Sequence, residues 1–457
     1  MLGMAKVLNP EKIFVLFALF FGFLMVFLIP PFQSPDETAH LCRAYGISRG
    51  QFFPQKVNGN VGSFLPENLL KFLKASTNSD SMDLFFAKRI KYSPEKFKEI
   101  SAIKLDNNKK VFIDYANMAR LSPVSYFPQS TGIIIASLCT QHIWLLLLAG
   151  KIVTLLFYTL LGYFSIKSIP FLKWACVFLL LCPMSLSLGA SISADAVLIS
   201  VSVLYISKIF QYSFDTQQKI NNKQLALLSL LAVSLALTKQ SFLMTLFILF
   251  IPKEKFETPY LKTLCFTILL PFAAAVLWSL FALTILRPLN GSDFSSHMLY
   301  ILEHPVKFTA LTLQYIPGLW NFALIEKMIG VLGWLNIYFC AIFYHLYFVM
   351  ILANTLYSIV GEYPKTTFYQ KAVLGVLTAL NYFSICVLIF CTWTQKNQFE
   401  YIEIQGRYLL PFVLPFLAFC IMVVKPLKEN QKIAILNIVF LFSALLYVIV
   451  ELFKVFY

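Results

Sequence analysis

Long apolar stretches recur along this chain, and they constrain its fold more than any other feature. A helix needs about 20 apolar residues to cross a hydrocarbon core roughly 30 Å thick. Stretches of that length occur near residues 13–30, 144–166, 170–187, 190–210, 260–286, 331–360, 370–393, 408–424 and 432–456. Charged residues make up 13% of the chain, about half of the roughly 25% that is usual in soluble domains. The sequence therefore predicts an all-α polytopic membrane protein.

The segment 225–251 is the ambiguous part of this pattern. It is longer than one straight span requires and shorter than two ordinary spans, and Lys239 interrupts its middle. Short loops rich in lysine mark the cytoplasmic side of a membrane protein, and Lys223 and Lys253 flank this segment. We therefore expect two short helices that enter the membrane and return, meeting near Lys239. The total is then about 11 spans, with the amino terminus in the cytoplasm and the carboxyl terminus outside.

The predicted spans divide the chain into five regions. These are the cytoplasmic amino terminus with the first transmembrane helix (1–30), an outer-face domain (31–130), transmembrane helices 2–7 (131–287), a second outer-face loop (288–330) and transmembrane helices 8–11 (331–457). The 31–130 region is too long to be a simple connector. Its apolar residues recur periodically, at Phe64, Leu65, Leu69, Leu70, Phe72 and Leu73. We expect it to form short helices that lie on the membrane surface.

The charge distribution indicates a lipid partner. The net charge of +15 lies partly in short loops and partly in the 31–130 region, where it suits anionic lipids or a phosphate-linked carrier. No nucleic-acid-binding module accompanies the basic residues, and no glycine-rich nucleotide loop occurs. The histidines and cysteines lack the spacing of zinc ligands. We therefore expect the lipid bilayer as a partner, and neither nucleic acid, nor a metal, nor a cofactor.

Two adjacent carboxylates stand where the first span leaves the membrane, in Ser34-Pro35-Asp36-Glu37. The pattern predicts a capping box in which Glu37 closes on Ser34, with Asp36 in the first helical turn. On such a helix Asp36, His40 and Arg43 share one face. A carboxylate with cationic groups one and two turns away is a candidate general base. Glu37 is then either the cap or a second catalytic carboxylate.

Three further charged residues lie in or beside apolar spans. Arg407, followed by Tyr408, stands at the mouth of the tenth span, where it either reaches the membrane surface or binds a phosphate group. Asp195 lies within the fourth span, about a turn from its end. Charges inside a membrane are functional candidates by default. Asp195 and Lys239 either form a functional polar site or pair with each other to hold helices together.

These motifs together resemble a bacterial membrane-protein family, catalogued as domain of unknown function 2142. The matching stretches include Pro35-Asp36-Glu37, Ser193-Ala194-Asp195-Ala196, Lys239-Gln240-Ser241-Phe242 and Gln405-Gly406-Arg407-Tyr408. That family is similar in layout to the GT-C superfamily of membrane glycosyltransferases, which use polyprenyl-phosphate sugars. The resemblance implies that Asp36, with Glu37 beside it, is catalytic. It also implies donor-phosphate or substrate-binding roles among His40, Arg43, Lys239, Arg407 and Tyr408.

The activity implied by this resemblance is an inverting transfer of one sugar. The donor is a polyprenyl-phosphate-linked sugar and the acceptor a lipid-linked or cell-envelope glycan, on the outer face of the bacterial inner membrane. A lipid-linked glycan transporter is one alternative, although the large 31–130 region argues against it. A surface-polysaccharide polymerase or ligase is another, but its main outer loop is expected late in the chain.

Overall fold

A computed structural model describes residues 9–77, 91–106, 108–216, 219–239, 241–285, 287–288, 291–318, 321–357, 366–423 and 431–457. The first half contains α1 (Pro10–Leu28), α2 (Glu37–Ser48), β1 (Gln55–Val57), β2 (Asn60–Pro66), α3 (Glu67–Thr77), α4 (Pro94–Ser101), β3 (Lys110–Asp114), α5 (Ala116–Ala119), α6 (Phe127–Ser137), α7 (Ile143–Ser168), α8 (Lys173–Leu181), α9 (Pro183–Gly189) and α10 (Ala194–Phe214).

The second half contains α11 (Asn222–Leu237), α12 (Tyr260–Thr284), α13 (Phe294–Glu303), α14 (Pro305–Gln314), α15 (Phe322–Gly330), α16 (Ala341–Leu356), α17 (Phe368–Thr392), α18 (Leu410–Val423) and α19 (Gln431–Phe456). Short 3-10 helices occur at Pro123–Tyr126, Phe242–Phe250, Lys253–Lys255 and Gly406–Leu409. A single π-helical turn, Cys265–Leu269, interrupts α12.

Six helices in the described residues are long and apolar enough to cross a membrane: α1, α7, α10, α12, α17 and α19. A multi-pass membrane protein is therefore confirmed, while the count of 11 spans and the orientation of the termini stay predictions. The expected span at 170–187 is divided into α8 and α9. Pro183 begins α9 and lacks the backbone N–H that would continue the preceding helix.

The ambiguous segment around Lys239 consists of two helical pieces. Helix α11 ends at Leu237, and a 3-10 helix occupies Phe242–Phe250. Lys239 lies between them with a left-handed backbone, φ 48°. The predicted break near Lys239 is confirmed.

The mostly helical structure agrees with the predicted all-α class, but the 31–130 region contains a small sheet in addition to the expected short helices. Strands β1, β2 and β3 form an antiparallel sheet in that order. Asn58 and Gly59 join β1 to β2 with φ of 50° and 80°, and an Asn-Gly pair favours this tight hairpin turn. Phe64 lies in β2 and contacts Phe112 of β3 across the sheet.

A hydrophobic core of its own holds the 31–130 region against the membrane helices. Leu41, Leu65 and Phe72 are buried in this core. It continues without a break to Leu147 of α7 and to Ile192, just before α10. The amino-terminal end of α2 is therefore fixed where the 31–130 region meets the helix bundle.

Candidate functional site

The two adjacent carboxylates do not form the predicted capping box. Helix α2 begins at Glu37, and Asp36 precedes it with φ 58° and makes no capping hydrogen bond through its side chain. Instead the Glu37 carboxylate accepts hydrogen bonds from the backbone N–H groups of Phe32 (2.8 Å) and Ile192 (3.1 Å). It also pairs with the Lys151 ammonium at 3.1 Å, and both side chains are buried. We call these four residues the anchor cluster, since they tie α2 to α7 and α10.

Asp36 faces the opposite way and meets residues from distant parts of the chain. One carboxylate oxygen lies 2.9 Å from Arg407 Nη2, and the other is 3.4 Å from Asn117 Nδ2. Asp36 and Lys239 are both among the described non-glycine residues with positive φ. This conformation is sparsely populated, and such strain tends to occur at functional sites.

Arg407 connects the two aspartates. Its Nη1 lies 3.9 Å from Asp195, at the start of α10, and Asp195 in turn pairs with Lys239. The Tyr408 ring lies beside both cations, 5.3 Å from the Arg407 guanidinium and 5.6 Å from the Lys239 ammonium. The predicted residues Asp36, Asp195, Lys239, Arg407 and Tyr408 are thus brought together from four separate segments.

Gly406 allows Arg407 to reach this position. A Cβ atom on Gly406 would lie 2.2 Å from the backbone nitrogen of Met328, in α15. Contacts that close do not occur, so any larger residue would displace the Gly406–Leu409 turn. The turn therefore packs directly against the backbone of α15.

His40 and Arg43 do not join this group as cations. His40 Nδ1 is hydrogen-bonded to the Tyr126 hydroxyl at 2.7 Å, and burial lowers the pKa of His40 to about 3. His40 is therefore neutral at physiological pH. The Arg43 guanidinium donates instead to the backbone carbonyls of Gln51, Phe52 and Leu121. The expected cationic face shared by Asp36, His40 and Arg43 does not form.

A cavity of about 140 Å³ adjoins the Asp36 group. Its charged lining consists of Asp36, Arg120, Lys239 and Arg407. Because water occupies about 30 Å³ per molecule in the liquid, the space suits a group of phosphate size. We call these four residues, together with Asp195, the cavity cluster.

Another part of the cavity wall is apolar. It includes Ile385, Leu388 and Ile389 of α17 and Phe412 of α18. Leu388 is 44% exposed, so the apolar wall continues onto the outer surface of a candidate membrane span. The cavity therefore joins a charged interior to an apolar surface, an arrangement that suits an amphiphilic ligand.

Comparison with known proteins gives one family. A family model described as "Predicted membrane protein (DUF2142)" matches residues 19–416. The chain belongs to this family. No curated protein matches the chain, and no solved structure matches it. The DUF2142 match includes the anchor cluster and the whole cavity cluster.

Some residues in and around the cavity of this DUF2142 protein were not identified from the sequence. Arg120 and Asn117 lie in no motif, and the pairing of His40 with Tyr126 across 86 positions was not predicted. An arginine between Met118 and Leu121 in an otherwise apolar stretch was the only signal for Arg120. Within the described ranges, no set of three His, Cys, Asp or Glu residues is arranged to hold a metal ion. Gln240 of the Lys239 motif lies outside the described residues.

Proposed function

We propose that this protein is a membrane glycosyltransferase of the GT-C type. It moves a sugar from a polyprenyl-phosphate donor to a lipid-linked or cell-envelope glycan on the outer face of the bacterial inner membrane. The observation that carries the proposal is the cavity, which combines the Asp36 carboxylate, several cations and an apolar wall open to the lipid side.

In the proposed reaction Asp36 is the general base. It takes the proton of an acceptor hydroxyl as the acceptor oxygen bonds to the anomeric carbon of the sugar. The bond from that carbon to the phosphate oxygen breaks, and the polyprenyl phosphate leaves with the bonding electrons. One displacement inverts the configuration at the anomeric carbon. Cations of the cavity cluster stabilise the charge that develops on the phosphate.

The surroundings of Asp36 are compatible with two substrates meeting there. On one side lies the cationic cavity. On the other, a narrow cleft next to Asp36 is lined by Asp114, Tyr115 and Trp334. A donor phosphate in the cavity and an acceptor hydroxyl from the cleft would then meet at one carboxylate. Glu37 has no such access, because the anchor cluster occupies its oxygens.

Purified protein in liposomes, supplied with a polyprenyl-phosphate sugar labelled in the sugar, tests the proposal. We expect label to appear in a glycan or lipid acceptor fraction from the cell envelope. Asp36→Asn should lower the rate by about 10²-fold to 10⁴-fold, the usual contribution of a general base. The matched control is Asp293→Asn, since Asp293 caps α13 and pairs with Lys396 outside the cavity.

Full transfer by Asp36→Asn would contradict the mechanism. Movement of intact labelled lipid across the bilayer, with no transfer of the sugar, would instead support the transporter alternative. Asp293→Asn keeps the capping oxygen, so it should transfer sugar at the unmodified rate. A rate loss equal to that of Asp36→Asn would show that the loss is not specific to the cavity.

A further inference from the structure

Arg120 differs from the other cations of the cavity cluster. Lys239 pairs with Asp195, and Arg407 pairs with Asp36. Arg120 also lines the cavity, but its side chain makes no hydrogen bond or ion pair with any residue that the structure describes. The cluster therefore places three cations beside two carboxylates, and Arg120 is the cation that has no ion-pair partner among the described residues.

The backbone around Arg120 is held in place by three separate helices. The Arg120 carbonyl accepts a hydrogen bond from Trp278 Nε1 of α12 at 2.8 Å. The Leu121 carbonyl accepts one from Arg43 of α2 at 2.9 Å. The Ser122 hydroxyl donates to a carbonyl at the end of α11, also at 2.9 Å. The position of Arg120 at the cavity is thus fixed before any ligand binds.

An unpaired guanidinium in this environment is costly. Burial lowers the pKa of Arg120, yet an arginine side chain stays protonated in proteins. Arg120 is half-buried, and a charge partly removed from water without a counter-ion is unfavourable, so an anionic ligand would stabilise this position. The planar guanidinium matches the oxygens of a phosphate, which it binds with two parallel hydrogen bonds.

We propose that Arg120 binds the phosphate group of the ligand in this cavity. That the phosphate belongs to a polyprenyl carrier rests on the function proposed above and on the apolar wall formed by Leu388 and its neighbours. Arg43, expected from sequence to contact the donor, acts through its bond to the Leu121 carbonyl. It positions the Arg120 turn and does not touch the ligand.

Direct binding measurements test this role without requiring transfer. The probes are undecaprenyl phosphate, uncharged undecaprenol and inorganic phosphate, added to full-length protein in lipid nanodiscs. We expect Arg120→Gln to weaken binding of undecaprenyl phosphate by at least about tenfold, the loss of one charge-assisted hydrogen bond, with undecaprenol unaffected. Arg120→Lys should bind undecaprenyl phosphate with intermediate affinity, because lysine keeps the positive charge but lacks the planar guanidinium that donates two parallel hydrogen bonds. The control Arg49→Gln removes an exposed guanidinium outside the cavity.

The outcomes separate this inference from the proposed function. Unchanged binding of undecaprenyl phosphate by folded Arg120→Gln and Arg120→Lys would overturn the role of Arg120, even if sugar transfer occurs. Binding that depends on Arg120, in a protein that never transfers sugar, would support the phosphate site and contradict the transferase. Inorganic phosphate that binds as tightly as undecaprenyl phosphate would overturn the lipid as the source of the phosphate.

Discussion

The anchor cluster and the cavity cluster meet at adjacent residues, Glu37 and Asp36, but they satisfy their polar groups differently. In the anchor cluster the Glu37 carboxylate has two backbone donors and the Lys151 ammonium. In the cavity cluster Arg407 Nε, Arg407 Nη1 and Asp195 Oδ2 are buried without a hydrogen-bond partner among the described residues. The Arg120 side chain also has no hydrogen-bond or ion-pair partner in the described part of the chain.

This difference separates a structural site from a binding site. A buried polar atom without a partner costs about 1–3 kcal/mol, so native proteins contain few of them. Several such atoms around one cavity indicate that selection for function outweighs their cost in stability. Asp36 and Glu37 are neighbours in sequence and similar in chemistry, yet only Asp36 faces groups that still have bonding capacity.

Glu37→Gln gives the largest expected effect on stability and the most direct test of this comparison. It leaves the Lys151 ammonium buried without a counter-charge, and breaking a buried ion pair costs about 3–5 kcal/mol. Asp36→Asn should cost about 1 kcal/mol, because Arg407 keeps Asp195 within 3.9 Å. Thermal unfolding in detergent measures both variants.

Lys151→Met, combined with Glu37→Gln, tests whether the stability loss comes from the unpaired Lys151 ammonium. Removing both charges of a buried ion pair avoids the uncompensated charge that a single substitution leaves behind. The double variant Glu37→Gln/Lys151→Met should therefore recover most of the stability that Glu37→Gln loses. Equal stability of the Glu37→Gln and Asp36→Asn variants would contradict the division into anchor and cavity clusters.

Gly406→Ala should give the next largest loss of stability. It changes the position of Arg407 in the cavity cluster and leaves the residues of the anchor cluster unaltered. The added methyl group meets backbone atoms of α15, and overpacking of this kind costs about 1–3 kcal/mol. Displacing Arg407 from Asp36 should also lower sugar transfer. Gly318→Ala is the matched control, since no atom of the described residues lies within 4 Å of a Cβ atom there. An unchanged rate of sugar transfer by Gly406→Ala would show that transfer does not depend on the position of Arg407.

The fold was predictable where it depends on local composition. Six of the long apolar stretches are helices of spanning length, because an apolar stretch in a membrane must satisfy its backbone within one helix. The break at Lys239 was predictable for a similar reason, since a charge in an apolar stretch is costly. The sheet in the 31–130 region was missed, although Asn58-Gly59 is a strong hairpin signal.

The candidate site was predictable only in part: Asp195 and Lys239 pair with each other, as one of the two alternatives held, but the partners of Glu37 and the cavity residue Arg120 were not predicted. The Ser34-x-x-Glu37 spacing matches a capping box, yet tertiary partners outcompete the local bond: Lys151 and the Ile192 N–H reach Glu37 from other helices. Asp36 and Arg407 are 371 positions apart, so no local spacing reveals their contact. The neutral state of His40 depends on burial, which the helical pattern alone does not give.

His40 has one satisfied ring nitrogen, as in the anchor cluster, and one ring nitrogen that no described residue satisfies, as in the cavity cluster. Its protonation gives the smallest expected effect on the free energy of unfolding. One ring nitrogen is satisfied by Tyr126, and the other is buried without a hydrogen-bond partner among the described residues. Burial is the largest influence on the pKa of His40 and lowers it to about 3; Asp36 and Asp195 act to raise this pKa, and Lys239 and Arg407 act to lower it further. Between pH 6.5 and 3 the unfolded chain therefore binds a proton that the folded protein does not. The free energy of unfolding should fall as the pH falls through this range, by at most about 1.4 kcal/mol per pH unit.

Thermal unfolding at pH 7.5, 6.5 and 5.5 measures this contribution, above the range in which ordinary carboxylates titrate. Wild-type protein should lose about 1 kcal/mol more stability between pH 6.5 and 5.5 than His40→Gln, which has no group to protonate. The comparison is between the two pH profiles, so a constant loss from the missing Tyr126 bond does not affect it. Parallel profiles would mean that His40 takes up a proton in the folded protein. His40 would then be a cation beside Asp36, as the helical spacing predicted, and would belong with the cavity cluster.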